Sequence, residues 1–237
     1  MAELISIILP TYNEASALPG AIRSVRCDSS TEVIVVDGGS RDETLSVARS
    51  CADRVLEAPL GRASQLNAGA RVASGSVLLF LHADTILAEG ALAEVRRVMQ
   101  NPRLAGGAFT LRIGEAKGAM RVISWCSNLR SRFLGLTYGD QAVFVRSPVF
   151  RNLGGFKMLP IMEDVDFVRR LQRVGRMRLI DIPVRTSDRR WRANGVLRTT
   201  FANLSAMVLF MVGVSTDRIR KTYDALLTNR WASSVIP

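Results

Sequence analysis

Short apolar segments alternate with helix-like segments through the first hundred residues, and this alternation constrains the fold most. A buried parallel strand reads as a continuous hydrophobic run, whereas a helix shows a period near 3.6. The predicted strands cover residues 4–10, 32–37, 54–57 and 76–81, and the predicted helices cover 14–26, 42–51, 62–73 and 89–100. Such alternation is typical of βαβ units. We therefore expect an α/β protein with a Rossmann-like, mostly parallel central sheet flanked by helices.

The regular alternation of predicted strands and helices ends at about residue 105. Strands are predicted at 107–113, 142–145 and 177–182, and helices at 117–133, 162–174 and 197–227, with a break near 213–216. No low-complexity linker separates the two parts. The sequence therefore predicts one domain over residues 1–190, with halves at 1–104 and 105–190, and a C-terminal helical extension at 191–237. Ser40, with Glu43 three residues later, is predicted to cap the second helix.

The net charge of +11 is unevenly distributed along the 237 residues. Residues 1–110 carry 10 Lys and Arg against 12 Asp and Glu, a net of −2, whereas residues 111–237 carry 22 against 9, a net of +13. The second part is therefore expected to face anions, such as nucleotide phosphates, lipid phosphates or an anionic bilayer. Nucleic acid is disfavoured because zinc-finger spacing and basic-zipper patterns are absent and aromatic residues make up only 6%.

The cysteines and the apolar runs indicate the compartment. Cys27, Cys51 and Cys126 are scattered and odd in number, which argues against a disulfide framework or a zinc site. The N-terminus has no signal-peptide pattern, so a cytoplasmic protein is expected. The longest apolar run, 206–214, is too short to span a bilayer. It favours a core helix, with a helix at the inner face of the membrane as the alternative because basic residues flank it.

Three polar clusters follow predicted parallel strands. They are Pro-Thr-Tyr-Asn-Glu at 10–14, Asp-Gly-Gly-Ser at 37–40 and His-Ala-Asp at 82–84. Because the carboxyl ends of such strands meet in one crevice, these clusters are expected to converge on a ligand. Asp84 is then placed to hold a metal or a metal-bound phosphate. Each cluster alone has a simpler explanation, since turns are rich in these residue types.

Several motifs together resemble family-2 glycosyltransferases of the GT-A fold. The matching segments are ILPTYNE (8–14), VVDGGSRDET (35–44), GRASQLNAGARVASG (61–75), LLFLHADT (78–85), GDQAVFVR (139–146), GGF (154–156) and MEDVDF (162–167). They keep the family's order and span roughly residues 4–190. In detail the chain is most similar to the short bacterial members described as radical-SAM/selenodomain-associated transferases. The resemblance makes 1–104 the nucleotide-binding half and 105–190 the acceptor half.

The resemblance implies a nucleotide-sugar site built from the first half. Asp37 would accept a hydrogen bond from a nucleobase, and Tyr12 would stack on that base beside Pro10, Asn13, Glu14 and Ala83. Arg62 would neutralise a donor phosphate, and Asn67, on the same helix as Gln65, would hold a ribose or base group. The structural alternatives are a turn aspartate for Asp37, simple packing for Tyr12 and a solvated helix face for Arg62, Gln65 and Asn67.

The resemblance also implies the metal and the base. His82 and Asp84 occupy the ends of the family's Asp-x-Asp motif, and Asp84 suits Mg²⁺ or Mn²⁺ better than the imidazole does. His82 is the only histidine, and a structural role is its alternative. Asp164 would be the general base that deprotonates an acceptor hydroxyl. Glu163 or Asp166 would orient the acceptor, and Asp140 and Gln141 would lie near the acceptor or the donor sugar.

Arg189, Arg190 and Trp191 resemble the end of the family's Gln-x-x-Arg-Trp motif, with Ser187 at the glutamine position. That departure argues against processive polysaccharide synthesis. Arginine forks suit diphosphates, so Arg189 or Arg190 is expected to contact the leaving group, with a basic rim as the alternative.

The expected activity is therefore a metal-dependent, inverting transfer of one sugar to an acceptor hydroxyl. A uridine diphosphate sugar is the first expectation for the donor and a guanosine diphosphate sugar the second. The acceptor is expected to be lipid-linked or anionic, and the C-terminal helices could instead form a homodimer. A nucleotidylyltransferase-like enzyme and a non-catalytic anion- or membrane-surface-binding module are the alternatives. A Rossmann dehydrogenase is excluded because no G-x-G-x-x-G follows the first strand.

Overall fold

A computed structural model describes residues 3–26 and 30–227, so Cys27 and the last ten residues lie outside it. Within this part, eight strands form one sheet in the order β3-β2-β1-β4-β7-β6-β8-β5. The strands are β1 (Ile5–Thr11), β2 (Thr31–Asp37), β3 (Arg54–Glu57), β4 (Val77–Phe80), β5 (Thr85–Ile86), β6 (Leu104–Ile113), β7 (Phe144–Arg146) and β8 (Arg176–Thr186). The expected α/β architecture with a mostly parallel sheet is confirmed.

The first half of the sheet is parallel. In register, Ile5 lies opposite Thr31 of β2 on one side and Val77 of β4 on the other, and β3 pairs in parallel with β2. Ile7 and Ile8 are both fully buried although they point to opposite faces of β1. This burial on both faces explains why β1, β2 and β4 read as unbroken apolar runs.

The second half of the sheet reverses direction at β7, which pairs antiparallel with β4 and β6. β6 and β8 then run in parallel. Two glycines in β6 allow this crowded centre. A Cβ on Gly106 would lie 2.2 Å from the carbonyl oxygen of Phe144, and one on Gly107 would lie 2.2 Å from that of Arg178. Larger residues cannot occupy these positions without moving the neighbouring strands.

Helices cover both faces of the sheet. They are α1 (Leu18–Val25), α2 (Thr44–Cys51), α3 (Arg62–Val72), α4 (Ala91–Met99), α5 (Gly118–Leu134), α6 (Ser147–Asn152), α7 (Glu163–Val174), α8 (Arg189–Asn194), α9 (Val196–Met211) and α10 (Thr216–Leu226). β5, α6 and α8 were not expected from the sequence. Each is too short to show a period of its own, and tertiary contacts stabilise it.

The predicted cap of the second helix is wrong. α2 begins at Thr44, and no side chain caps its N-terminus at Glu43. Ser40 lies four residues earlier and contributes to the turn after β2, where its N–H donates to Asp37 at 2.7 Å. Asp42 accepts the Thr44 N–H at 3.0 Å instead.

The C-terminal helices pack on the rest of the chain. α9, α10 and the start of α7 share an apolar cluster that includes Val165, Ala202, Ala206 and Ile219. The expected boundary at residue 190 falls inside α8, whose Trp191 is buried in the main core. The predicted break in the last helical segment is at Val212–Ser215. No helix in the described ranges is long and apolar enough to cross a bilayer.

Candidate active site

Two adjoining cavities open at the carboxyl ends of β1 and β4. The strand-end cavity is lined mainly by loops after those strands: Pro10, Thr11, Tyr12, Glu14, Leu60, Gly61, Gln65 and Ala83. The helix-side cavity is lined by later elements: Tyr138, Asp140, Pro160, Ile161, Met162, Asp164, Thr186, Ser187, Trp191, Asn203, Ala206, Arg220 and Tyr223. Five residues line both: Arg62, His82, Asp84, Arg189 and Arg190. The first and third clusters that the sequence predicts, at 10–14 and 82–84, therefore meet at one site, whereas no residue of 37–40 lines either cavity.

The end of β4 brings His82 and Asp84 to this site. The Leu81 N–H donates to the carbonyl of Ile8 at 3.0 Å, which keeps the chain parallel to β1 just past the last ladder pair. A turn follows, closed by the Thr85 N–H on the His82 carbonyl at 3.0 Å. The acidic tip thus lies at the edge where parallel strands present ligand-binding groups.

One guanidinium bridges two carboxylates in the shared wall. Arg189 Nη1 donates to Glu14 Oε2 at 2.7 Å, and Arg189 Nη2 lies 3.2 Å from Asp84 Oδ2. Burial raises the pKa of the Glu14 carboxyl, and the charge of Arg189 opposes this rise. Arg189 therefore supplies positive charge at the place where the sequence predicts a divalent cation.

The donor set at the tip fits Mg²⁺ or Mn²⁺. Burial and the nearby Arg62 lower the pKa of His82 to about 4, so the imidazole is neutral at pH 7 and keeps a lone pair for a metal. Within the described ranges no three His, Cys, Asp or Glu side chains are grouped to hold an ion. Mg²⁺ is commonly held by one or two carboxylates and completed by substrate phosphates and water, so the Asp84 carboxylate beside the neutral His82 is compatible with such an ion.

Asp164 is held at the start of α7 with both oxygens oriented. Its Oδ2 accepts the Gly139 N–H at 2.6 Å, and its Oδ1 accepts the Val165 N–H at 2.8 Å. The side chain lines the helix-side cavity although the residue is only 9% exposed. Each oxygen accepts one backbone bond and retains a lone pair. Met162, which precedes the first residue of α7, has φ 67°, a left-handed conformation that is unusual for a non-glycine residue.

The neighbouring acids do not line either cavity. Glu163 is buried beneath Arg62, whose Nε lies 2.7 Å from Glu163 Oε1. Asp166 pairs instead with Lys157 at 3.0 Å and Arg170 at 2.7 Å. The geometry therefore assigns Glu163 to holding Arg62 and Asp166 to a surface ion-pair cluster, and neither is placed to orient an acceptor.

Asp140 and Gln141 differ in role although they are adjacent in a single 3₁₀ turn. Asp140 lines the helix-side cavity, and its buried Oδ1 has no hydrogen-bond partner in the described part of the chain. Burial raises the pKa of Asp140 to about 6, against the opposing charge of Arg130. Gln141 is fully buried, donates to the Phe109 carbonyl at 2.9 Å and accepts from Ser131 at 2.8 Å. Gln141 is thus a structural residue beneath the site.

Asp37 is directed into its own turn and away from any base. Its carboxylate accepts N–H groups from Gly39 at 2.8 Å and Ser40 at 2.7 Å, and hydroxyl groups from Ser40 and Thr11. The residue has no exposed surface. These four donors occupy the lone pairs that a nucleobase would need, so the turn explanation fits Asp37 and the base-binding role does not.

Asn67 also has a structural role. Its amide donates to the Phe156 carbonyl at 2.8 Å and accepts the Phe156 N–H at 2.9 Å, which fastens α3 to the Gly-Gly-Phe turn. Gln65, on the same helix, lines the strand-end cavity but donates to the carbonyls of Thr11 and Val36, both at 2.8 Å. Asn13 is exposed and accepts the Arg41 N–H at 2.8 Å.

Sequence reasoning predicted Arg190 but missed the part of the wall that α9 and α10 supply. Arg190 Nη1 donates to the Tyr223 hydroxyl at 3.3 Å, and that hydroxyl donates to Asn203 Oδ1 at 3.0 Å. This chain of polar groups joins α8, α10 and α9 across the helix-side cavity. Arg220, three residues before Tyr223, lines the same cavity. The three-residue spacing of Arg220 and Tyr223 predicts that they share a face of α10, but no local signal in the sequence connects that face with the helix-side cavity.

Comparisons with known proteins identify the family. The family model described as Glycosyl transferase family 2 matches residues 6–153. A PGL/p-HBAD biosynthesis glycosyltransferase of Mycobacterium bovis is 38% identical over 97 residues, which cover 37% of this chain and 38% of that protein. Validoxylamine A glucosyltransferase of Streptomyces hygroscopicus subsp. jinggangensis is 39% identical over 89 residues, 33% of this chain and 21% of that protein. The match thus spans well under half the length of either relative.

Solved structures share the fold over nearly the whole chain. The mannosyltransferase PcManGT from Pyrobaculum calidifontis, in complex with GDP-Man and Mn²⁺, has a TM-score of 0.67 and 21% identity, covering 95% of this chain and 70% of that one. Residues 1–349 of TarS from S. aureus, in complex with UDP-GlcNAc, give a TM-score of 0.66 and 15% identity, covering 94% and 71%. These likenesses confirm the expected GT-A fold.

Proposed function

The chain belongs to glycosyl transferase family 2, and on that premise we propose that it is an inverting, metal-dependent glycosyltransferase. It would move one sugar from a nucleoside diphosphate to an acceptor hydroxyl. One observation carries this proposal. Asp164, whose carboxylate is fixed by backbone hydrogen bonds, lines the helix-side cavity. Asp84 lines both that cavity and the strand-end cavity, and five residues in all are shared by the two cavities. That arrangement suits two substrates that react at a common wall.

The strand-end cavity suits the donor nucleotide. Tyr12 offers a ring for base stacking beside Pro10 and Ala83, and Arg62, Arg189 and Arg190 offer guanidinium groups for the diphosphate. Since Asp37 is occupied, base recognition would depend on Tyr12 and on backbone groups of the loop. A uridine diphosphate sugar remains the first candidate and a guanosine diphosphate sugar the second. The solved relatives hold donors of both kinds.

The reaction proceeds as a single displacement in this proposal. The acceptor hydroxyl oxygen attacks the anomeric carbon while the bond from that carbon to the phosphate oxygen breaks, and Asp164 takes the hydroxyl proton. Attack opposite the leaving group inverts the anomeric centre. The guanidinium groups of Arg62 and Arg190 stabilise the charge that develops on the departing diphosphate. When bound, a divalent cation held by Asp84 and His82 would supply further positive charge there.

The acceptor would enter from the helix-side cavity. Arg190 and Arg220 line that cavity, which favours an acceptor that carries negative charge, such as a lipid-linked phosphate. Transfer would stop after one sugar because the chain lacks the glutamine of the processive motif at Ser187. We place the reaction in the cytoplasm of a bacterium, at the inner face of the membrane, as part of the same proposal.

The test compares two aspartates on one helix. Asp164→Asn is expected to keep nucleotide affinity within about threefold and to lower turnover by at least about a hundredfold, the usual contribution of a general base. Asp166→Asn is the matched control, because Asp166 lies two residues later and lines neither cavity. Release of nucleoside diphosphate from UDP- and GDP-sugars with Mn²⁺ would be measured for both, with folding checked by melting temperature. Unchanged turnover in Asp164→Asn would overturn the assignment of the base.

A further inference from the structure

α9 exposes a continuous apolar stripe. Its exposed members are Leu197, Phe201, Leu204, Val208 and Met211, with exposed fractions from 45% to 86%. At 3.6 residues per turn they fall within an arc of roughly 80°. The opposite face carries Thr199, Ala202 and Ala206, which are buried against the protein. Contiguous exposed apolar surface of this kind marks an interaction site more often than single exposed residues do.

α5 carries a second stripe of the same kind. Val122, Trp125, Leu129 and Phe133 are 59%, 62%, 41% and 73% exposed and again fall within an arc of roughly 80°. The opposite face is fixed to β6, where Asn128 accepts the Leu111 N–H at 2.7 Å. The stripe therefore faces away from the sheet and has no partner within the described chain.

α9 lines the helix-side cavity directly, and α5 leads to it through the loop that follows the helix. Asn203 and Ala206 of α9 line that cavity, and so does Tyr138, which follows α5. Leu136, two residues after α5, shares an apolar cluster with Ala202 and Ala206. The exposed end of α5 at Phe133 is thus close in sequence to the contact between the two regions.

The surroundings of both stripes are basic. Neither α5 nor α9 contains an acidic residue, and Arg121, Arg132 and Arg198 lie along the edges of the stripes. Beside the C-terminal end of α5 is a groove of about 810 Å³ whose lining includes Arg132, Arg173, Arg176 and Arg178 and one acidic residue, Asp181, which pairs with Arg132. Buried Thr137 also lines the groove, and its Oγ1 has no partner in the described ranges.

We propose that the stripes of α5 and α9 form a docking surface for an anionic lipid bilayer. Amphipathic helices with basic borders lie in the membrane interface, where each Lys or Arg near anionic lipid adds attraction. The four-arginine groove would receive anionic headgroups. A second copy of the chain fits less well, because pairing these faces would bring together two surfaces of the same positive sign. That the bilayer also carries the acceptor rests on the proposed function, whereas docking itself does not.

Vesicle co-flotation of the full chain at low salt tests the docking. The chain is expected to float with vesicles of phosphatidylcholine and phosphatidylglycerol and to bind pure phosphatidylcholine at least about tenfold more weakly. Phe201→Asp and Phe133→Asp, tested separately, are each expected to weaken flotation at least about tenfold. Each removes an apolar side chain that would be buried in the bilayer and adds a negative charge. Met158→Asp is the matched control, because Met158 is 69% exposed but lies outside both stripes and outside the groove.

A probe at Cys126 reports insertion directly. Cys126 is exposed on α5 next to Trp125, and a Cys27→Ser, Cys51→Ser background leaves it as the one thiol for an environment-sensitive dye. The dye emission is expected to shift to the blue with the anionic vesicles only. Failure of the chain to float, or flotation unchanged by both stripe substitutions, would overturn the proposal. So would light scattering that shows the α9 substitution converting a dimer into a monomer without any vesicle binding.

The readouts separate docking from catalysis. Donor hydrolysis measured without vesicles is expected to stay within about twofold of the unchanged protein for the stripe variants, because their side chains line neither cavity. Loss of flotation with hydrolysis intact would concern docking alone. Flotation without any hydrolysis by the unchanged protein would instead overturn the proposed function and leave the docking surface in place.

Discussion

Arg62 Nε lies 2.7 Å from Glu163 Oε1, and this ion pair ties the first turn of α3 to the first turn of α7. Arg62 lines both cavities, and Glu163 precedes Asp164. The pair therefore fixes the distance between the helix that would bind the donor phosphates and the helix that carries the proposed base.

The ion pair between Arg62 and Glu163 should be important for stability. Glu163→Gln is expected to cost about 3 kcal/mol in the free energy of unfolding, because it leaves the largely buried charge of Arg62 without its counter-charge. Urea denaturation measures this value. The double variant Arg62→Met, Glu163→Met is the control and should cost less than the single change. A single-variant cost under about 0.5 kcal/mol would contradict a buried pair.

Removing Arg189 should strengthen metal binding. Arg189 Nη2 lies 3.2 Å from Asp84 Oδ2, so its charge repels a cation at that carboxylate. Arg189→Gln is therefore expected to tighten Mn²⁺ binding by about tenfold, as the Coulomb term near a protein surface allows. Electron paramagnetic resonance of free Mn²⁺ gives the affinity. Arg192→Gln is the control, since Arg192 pairs with Asp188 outside both cavities; equal affinities in the two variants would contradict the repulsion.

Chelation should stop donor turnover. With EDTA present, release of nucleoside diphosphate is expected to fall at least about a hundredfold and to recover when Mn²⁺ or Mg²⁺ is added. Asp84→Asn should need a higher metal concentration for half-maximal rate, because an amide is a weaker ligand than a carboxylate for these ions. Full activity after exhaustive chelation would remove metal dependence from the proposal.

Asp140 should make the protein less stable as the pH rises. Its pKa is raised from 3.8 to about 6 by burial, so the folded state holds a proton that the unfolded state releases between those values. The resulting stabilisation is fully present below pH 3.8 and is lost as the pH rises through about 6. Asp140→Asn should therefore raise the melting temperature, relative to the unchanged protein, more at pH 7.5 than at pH 4.5.

A matched aspartate controls for the effect of removing one charge. Asp181 is 71% exposed at its side chain and pairs with Arg132, so Asp181→Asn should show no such gain at high pH. Melting curves across the pH range give both differences. A constant difference for Asp140→Asn across that range would mean that the carboxyl titrates normally.

Much of the sheet is predictable because its strands have local signals. β1, β2 and β4 are buried on both faces, and the resulting unbroken apolar runs mark them in the sequence. β5 has only two residues and pairs with the far end of β8, so its formation depends on a partner a hundred residues away. The need for glycine at position 106 also depends on a distant partner, because β7 lies too close to leave room for a side chain there.

The residues of the candidate site also differ in whether a local sequence signal marks them. Asp84 and Asp164 can be singled out because each is next to a recognisable strand end or helix start. The structural role of Asp37 depends on four hydrogen-bond donors in and near its turn, and the sequence does not reveal their positions. Asn203 and Tyr223 lie on helices far from every motif, and only the packing of α9 against α10 brings them to the cavity wall.

The five residues that line both cavities bear on the order in which the two substrates would bind. A nucleotide sugar bound at the strand ends would cover Arg62, His82, Asp84, Arg189 and Arg190 from one side and so become part of the floor on which the second substrate rests. An acceptor that arrived first would meet an incomplete surface. If the proposed function holds, we therefore expect the donor to bind first, the acceptor second, and the spent nucleotide to leave last.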